Sequence, residues 1–242
     1  MKNIRARLDR ELGEVWSALQ KETRTLGCEL RPKKHTDAAT VSEDEGRVTF
    51  EFKPLCMKVT EKASSRNNNL YVAIAGRAVF ELREDQPRSI NFASSAAYFR
   101  EMKPGFLKHV FAMHYDHVRT DEEPVDFGHP TFHAQIKAAA DKFEVVNERF
   151  NTEFEAIRPE DNLVQNLLSN ARLPTANMDP LCIILQVLGD HVVNVKSSDQ
   201  SKESFRRLRD AVARFRSDLS TAVVLNAGLE AKCLRGPHWY VT

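Results

Sequence analysis

Residues 47–59, RVTFEFKPLCMKV, decide the fold because apolar and polar side chains alternate along them. Pro54 interrupts the pattern once, and the alternation then continues. The apolar positions are Val48, Phe50, Phe52, Leu55, Met57 and Val59. A period of two is typical of a strand that buries one face and leaves the other in solvent. This stretch therefore predicts a strand of an antiparallel sheet.

Comparable stretches follow through the first half of the chain. Turn-forming residues separate them, and Gly76 within one of them predicts a bulge or a bend. The predicted strands cover residues 47–59, 70–82, 89–99, 106–118 and 129–136. Successive strands joined by short turns pair antiparallel by default. We therefore predict an antiparallel meander of about five to seven strands.

Helical periodicity flanks this sheet on both sides. Apolar residues recur every three, four or seven positions over residues 2–27, which predicts an N-terminal helix. Residues 31–46 are polar and lack any period, so we interpret them as a loop. After Ile136 the period lengthens, and the pattern predicts one helix up to Ile157, before Arg158 and Pro159.

The segment from Pro180 to Val195 predicts the central helix of the core, because it is apolar on nearly every side. Asp179 can cap this helix, and Pro180 occupies the first helical position, where its missing N–H costs nothing. A helix over residues 201–219 has an arginine-rich outer face, and a last helical run is predicted over residues 221–235. These helices would cover the sheet.

The whole pattern indicates an α+β fold, with the antiparallel sheet packed against helices. We predict a single domain over residues 1–242, with the N-terminal helix in 1–30, the sheet in 47–136 and a helical layer in 137–236. An alternative is two subdomains with a boundary near residues 158–162.

Composition excludes some function classes. The net charge of +1 provides no global field for nucleic acid, so such a contact would need a local basic patch. No apolar run reaches the roughly 18 residues of a spanning helix, and the charged first 16 residues lack the apolar core of a secretion signal. The cysteines form no CxxC pair. We predict a cytoplasmic protein with reduced thiols and no membrane contact.

Residues 113–135 contain four of the eight histidines and hold the candidate site. On the last predicted strand, His129 and His133 share a polar face with Thr131 and Gln135, opposite an apolar face. On the preceding strand, His114 and Asp116 share one face, and Tyr115 and His117 share the other. The strand register is open, so either pair could oppose the histidines of the last strand.

Pairing with His114 and Asp116 would bring imidazoles and a carboxylate together. The candidate catalytic residues are His114, Asp116, His129 and His133, and the candidate metal ligands are His114, Asp116 and His133, for zinc or manganese. His129 and His133 lie about 13 Å apart along a strand, so they cannot bind one ion together. No other cofactor is predicted. The alternative interpretations are that these histidines face water or bond to the backbone, or that they form a surface for a ligand or RNA.

Two short motifs resemble a group of uncharacterised bacterial proteins. GHPTFHAQ at residues 128–135 is similar to their HPxFH strand, and RLPTANMD at residues 172–179 is similar to their R-[IL]-P-T-x-x-M-D helix entry. The resemblance spans residues 128–191. It implies an association with accessory genes of mobile or defence loci, and it implies no activity.

Two hypotheses on function follow. The first is a structural or interaction subunit of a larger bacterial assembly, such as a defence-associated one, with a protein partner or a second copy bound through the amphipathic helices. The second is a histidine-based phosphodiester hydrolase, with a bound metal ion or with the imidazoles alone as acid and base. The sequence leaves open whether the chain is an enzyme.

Overall fold

The computed structural model describes residues 4–44, 46–61, 68–83, 86–117, 132–137, 143–157, 172–174 and 178–220. The alternating stretch at residues 47–59 forms all but the last two residues of β3, which pairs with β4 along most of its length. The strands are β1 (Glu29–Arg31), β2 (Ala39–Asp44), β3 (Arg47–Glu61), β4 (Asn68–Arg83), β5 (Gln86–Lys103), β6 (Phe106–His117), β7 (Phe132–Lys137), β8 (Glu155–Ile157) and β9 (Arg172–Pro174).

The strands of the described residues form a nine-stranded sheet in the order β1-β3-β4-β5-β6-β7-β9. The short strand β2 also pairs with β3, and β8 runs parallel to β6. The consecutive strands β2 to β7 are antiparallel neighbours, as a meander requires. The predicted α+β class with an antiparallel sheet is therefore confirmed.

Helices cover both faces of the sheet. They are α1 (Ile4–Thr25), α2 (His35–Ala38), α3 (Phe143–Phe150), α4 (Pro180–His191) and α5 (Asp199–Ser220). Helices α1, α4 and α5 share one core with the predicted apolar face of β3, in which Phe50 meets Phe215 edge to face at 6.0 Å. None of the helices in the described ranges is long and apolar enough to cross a membrane.

The second face of the sheet is not simply open to solvent, in contrast to the prediction for β3. Cys56 of β3 is fully buried on this side, in a cluster with Tyr71, Phe99 and Val146. Helix α3 covers the cluster, and the ring of Tyr71 lies 5.3 Å from the ring of Phe150. The alternation of β3 misses this layer because Cys56 is followed on that side by the polar Lys58.

Helix α1 packs within the chain, as its buried apolar stripe requires. Leu8, Leu12 and Leu19 are fully buried in the main core. Near its end, Glu22 accepts two hydrogen bonds from the guanidinium of Arg207 on α5, at 3.2 and 3.1 Å. Burial would raise the pKa of Glu22, but the hydrogen bonds from Arg207 and Ser204, together with the charges of Arg207 and Lys21, lower it below its ordinary value. The ion pair ties α1 to α5.

Two predictions of local structure are wrong. Residues 31–46 are not a loop, because they contain α2 and β2, and Val41 of this edge strand is buried opposite Phe50. The predicted helix up to Ile157 ends at Phe150. Asn151 adopts a positive φ of 51°, and the side chain of Asn147 accepts a hydrogen bond from the N–H of Phe154 at 2.9 Å. The positive φ and this hydrogen bond end the helix and direct the chain into β8.

The predictions for the second half of the chain have different outcomes. The helix predicted from Pro180 ends at His191 rather than Val195. Its cap is confirmed, because Asp179 accepts hydrogen bonds from the N–H groups of Leu181 and Cys182 at 2.9 and 3.0 Å. The helical run predicted over residues 221–235 and the segment 158–162 lie outside the described residues.

Gly76 lies beside a β-bulge, as predicted. It pairs with Phe52 and Ser94, and the extra residue of the bulge lies in the neighbouring strand β3, between Phe52 and Leu55. A Cβ atom on Gly76 would lie 2.6 Å from Cγ of Pro180 and 2.6 Å from Oγ of Ser94. The glycine therefore allows the first turn of α4 to rest directly on β4.

Candidate functional site

The register between β6 and β7 answers the question that the sequence left open. Asp116 stands directly opposite His133, and His114 stands directly opposite Gln135. Directly opposed residues in an antiparallel pair project to the same face, with Cβ atoms about 4.5–5.5 Å apart. Backbone pairing therefore brings His114, Asp116 and His133 to one face of the sheet.

The other face of these strands belongs to the core. Tyr115 is 2 % exposed and pairs with the fully buried Ala134. Its hydroxyl donates a hydrogen bond to Oε1 of Gln186 on α4 at 3.1 Å. Burial raises the pKa of Tyr115 to about 12, so the phenol is neutral at physiological pH. The face of His114, Asp116 and His133, which we call the histidine face, is therefore the side turned away from α4. The apolar alternation of β7 predicts this arrangement.

The neighbouring strand β5 places small residues beside the histidine face. Ser95 lies opposite His114, and Ala93 lies opposite Asp116. His114 itself is partly exposed, and it interacts with another residue of the chain.

The structure describes only part of the predicted set of metal ligands. The side chains of Asp116 and His133, and all of His129, lie outside what the structure describes. Among the side chains that are described, no group of three or more His, Cys, Asp or Glu residues could hold a metal ion. The catalytic and metal-binding roles of His114, Asp116, His129 and His133 stay predictions.

A second candidate site lies on the opposite edge of the sheet and was missed by the sequence analysis. A groove of about 820 Å³ runs between α1 and the segment that joins β1 to α2. We call it the α1 groove. Its lining residues are Trp16, Ser17, Gln20, Lys21, Arg24, Thr25, Lys33, Lys34, His35 and Thr36. Five of them carry basic side chains, and none carries a carboxylate.

Hydrogen bonds from α1 hold the far wall of the groove in place. The indole N–H of Trp16 donates to the carbonyl of Lys33 at 3.1 Å. The amide of Gln20 donates to the carbonyls of Leu30 and Pro32 at 3.3 and 3.0 Å. Since these carbonyls belong to the segment that carries Lys33 and Lys34, the positions of both lysines are fixed relative to α1.

Exposed cations concentrate in the α1 groove. Within the described residues, no ion pair involves Lys21, Arg24, Lys33 or Lys34. His35 has Asp9 at 4.0 Å, and its ring packs against Gly13. A cluster of exposed cations without partners is an electrostatic site for anions.

The arginine-rich face of α5 is different, although the sequence drew attention to it first. Arg206 pairs with Glu203 at 3.5 Å, and Arg209 pairs with Asp210 at 2.9 Å. Arg207 also pairs with Glu203 at 3.6 Å, one turn away, so these arginines have carboxylate partners as on an ordinary exposed helix. The sequence contained one indication of the α1 groove, the adjacent basic residues Lys33 and Lys34, but these lie in the segment that we interpreted as a loop.

A smaller cavity of about 370 Å³ opens between β6 and α4. It is lined by Met113, Tyr115, Met178, Cys182, Leu185 and Gln186. This lining is mainly apolar, and Asp179 beside it is occupied in capping α4. The cavity therefore offers less chemistry than the other two sites.

Comparisons of the chain with models of known protein families, with curated proteins and with solved structures found no match.

Proposed function

We propose that this chain is an interaction subunit of a larger assembly and that the α1 groove receives an anionic part of its partner. One observation carries the proposal: Lys21, Arg24, Lys33 and Lys34 converge on one preformed concave surface without ion pairs in the described part of the chain. Because the whole chain has a net charge of only +1, this local concentration of positive charge is unusual for it. The bacterial, cytoplasmic and defence-associated setting remains part of this proposal.

Over their described side chains, α1 and α5 would contribute to such an interface through their polar sides. The apolar stripes of α1 and α5 are buried within the chain, where Leu12, Leu19, Leu208 and Val212 are at most 1 % exposed. A partner or a second copy would therefore meet the charged surfaces, among which the α1 groove is the concave one. This revises the hypothesis that amphipathic stripes bind the partner.

Heparin chromatography tests the proposal with a polyanion that is neither protein nor nucleic acid. We expect the Lys33→Gln/Lys34→Gln variant to elute from a heparin column at clearly lower salt than the wild type, since electrostatic contacts weaken with each lost cation. The Arg206→Gln/Arg209→Gln variant removes the same charge from α5 and should elute close to the wild type. Equal elution of the two variants would refute the groove as the anion site.

A second candidate function rests on a separate observation, the direct pairing of Asp116 with His133. We propose as the alternative that His114, Asp116 and His133 bind zinc or manganese. Such an ion would supply the Lewis acid and the activated water of a phosphodiester hydrolase. The residues of the chain would orient the ion on the face beside Ala93 and Ser95. Without an ion, the imidazoles could instead transfer protons near neutral pH.

Elemental analysis of the purified protein tests this alternative. We expect about one zinc or manganese ion per chain, retained in a His191→Ala variant and lost in a His133→Ala variant. His191 lies on α4, near the ring of Tyr98 and away from β7. A metal content that is the same in the two variants, or close to zero in the wild type, would remove the metal-dependent hydrolase.

A further inference from the structure

We infer that the anion bound in the α1 groove is the phosphodiester backbone of a nucleic acid. The inference rests on the proposed function, because it names the class of partner for the same groove. It concerns a site on the β1 side of the sheet, whereas His114 and Asp116 lie on β6 near the other edge. Binding in the groove is therefore independent of any chemistry at the histidine face.

The length of the groove suits a chain of regularly spaced charges. Ser17, Lys21 and Arg24 follow one face of α1 and span about 10 Å at 1.5 Å per residue. A strand that keeps the base stacking of a duplex carries a phosphate about every 3.4 Å along its axis, so this length faces about three phosphates. Lys33 and Lys34 add charge from the opposite wall.

The character of the lining favours nucleic acid over a folded acidic protein. Protein interfaces have an apolar core from which lysine is depleted, whereas protein–nucleic acid interfaces are polar and positively charged. The α1 groove is rich in lysine and arginine. The exposed large apolar side chains of the described residues, Met102 and Val195, lie outside it. Among the described residues, no exposed large apolar side chain lies in the α1 groove to form the core of a protein interface.

Recognition in the groove should be independent of base sequence. The hydroxyls of Ser17 and Thr25 donate to helix carbonyls at 2.9 and 3.1 Å and are engaged there. Trp16 is 2 % exposed, so its ring cannot stack on a base. The cationic side chains therefore make most of the contacts with the nucleic acid. Such contacts position its phosphodiester backbone and do not distinguish one base from another.

Fluorescence anisotropy with a labelled single-stranded 20-nucleotide DNA of mixed sequence tests the inference. With four cations on phosphates, the logarithm of the binding constant should fall with the logarithm of salt concentration with a slope of about −3. The Lys33→Gln/Lys34→Gln variant should bind at least about tenfold more weakly at 50 mM salt, with a slope reduced by about 1 to 2. Arg206→Gln/Arg209→Gln should stay within about twofold of the wild type, and circular dichroism should verify that all proteins are folded.

A polyglutamate of 20 residues provides the second arm of the experiment. Weaker binding of polyglutamate than of DNA at equal salt supports the inference. Tighter binding of polyglutamate, lost in the Lys33→Gln/Lys34→Gln variant, overturns the inference and leaves the proposed function in place. DNA binding that is equal in both double variants overturns the inference, and if neither polymer binds, the proposed function falls with it.

Discussion

Replacing Trp16 by alanine is expected to lower the free energy of unfolding by about 3–5 kcal/mol. Trp16 is 2 % exposed and belongs to the core between α1 and the sheet. Its removal leaves a cavity and also frees the carbonyl of Lys33, which the indole N–H binds at 3.1 Å. Urea denaturation followed by circular dichroism measures the loss.

Two variants separate the parts of this effect. Trp16→Phe keeps most of the ring and removes the hydrogen bond, so it should cost less in stability, while the wall of the α1 groove loses one of its anchors. Met102→Ala is the matched control, because Met102 is 55 % exposed and its truncation should change stability by at most about 0.5 kcal/mol. A Trp16→Ala protein as stable as the Met102→Ala protein would contradict the packing described for α1.

Replacing Gly76 by alanine is the second large effect, with an expected loss of about 1–3 kcal/mol from overpacking. The new Cβ would meet Cγ of Pro180 and Oγ of Ser94 at 2.6 Å each, and the carbonyl oxygen of Ala93 at 3.1 Å. Ala93 and Ser94 belong to β5, whose backbone is fixed by its neighbours, so the first turn of α4 has to move. Thermal and urea unfolding measure the change.

Gly189→Ala is the control for that substitution. Gly189 lies in α4, and its new Cβ would have ordinary contact with Phe205 at 3.8 Å. Alanine favours a helix over glycine by about 0.5–1 kcal/mol, so this variant should be as stable as the wild type or more stable. If Gly76→Ala were equally harmless, α4 would not rest on β4 as described.

Patterns of near neighbours allowed much of the fold to be predicted. The alternation around Phe50 and Phe52 identified β3, because burial of one face repeats every second residue. Asp179 and Pro180 identified the start of α4, because a cap acts within three residues. The end of the helix after Phe150 was beyond such patterns, since it depends on the side chain of Asn147 reaching Phe154.

The candidate sites were less predictable because they depend on distant pairing. Residues 118–131 separate β6 from β7, and a connection of that length does not specify a register. The pairing of Asp116 with His133 therefore came from the structure. The α1 groove likewise depends on Trp16 and Gln20 binding carbonyls 10 to 17 residues away, which no local period encodes.

The central claim is that the chain meets its partner through the α1 groove. Hydrogen–deuterium exchange with and without saturating heparin tests it directly, because bound polyanion should shield the backbone amides of the groove wall. We expect slower exchange in peptides that cover residues 31–37, and unchanged exchange in peptides that cover residues 112–117 and 132–137. Slower exchange at the histidine face, with residues 31–37 unchanged, would contradict the claim.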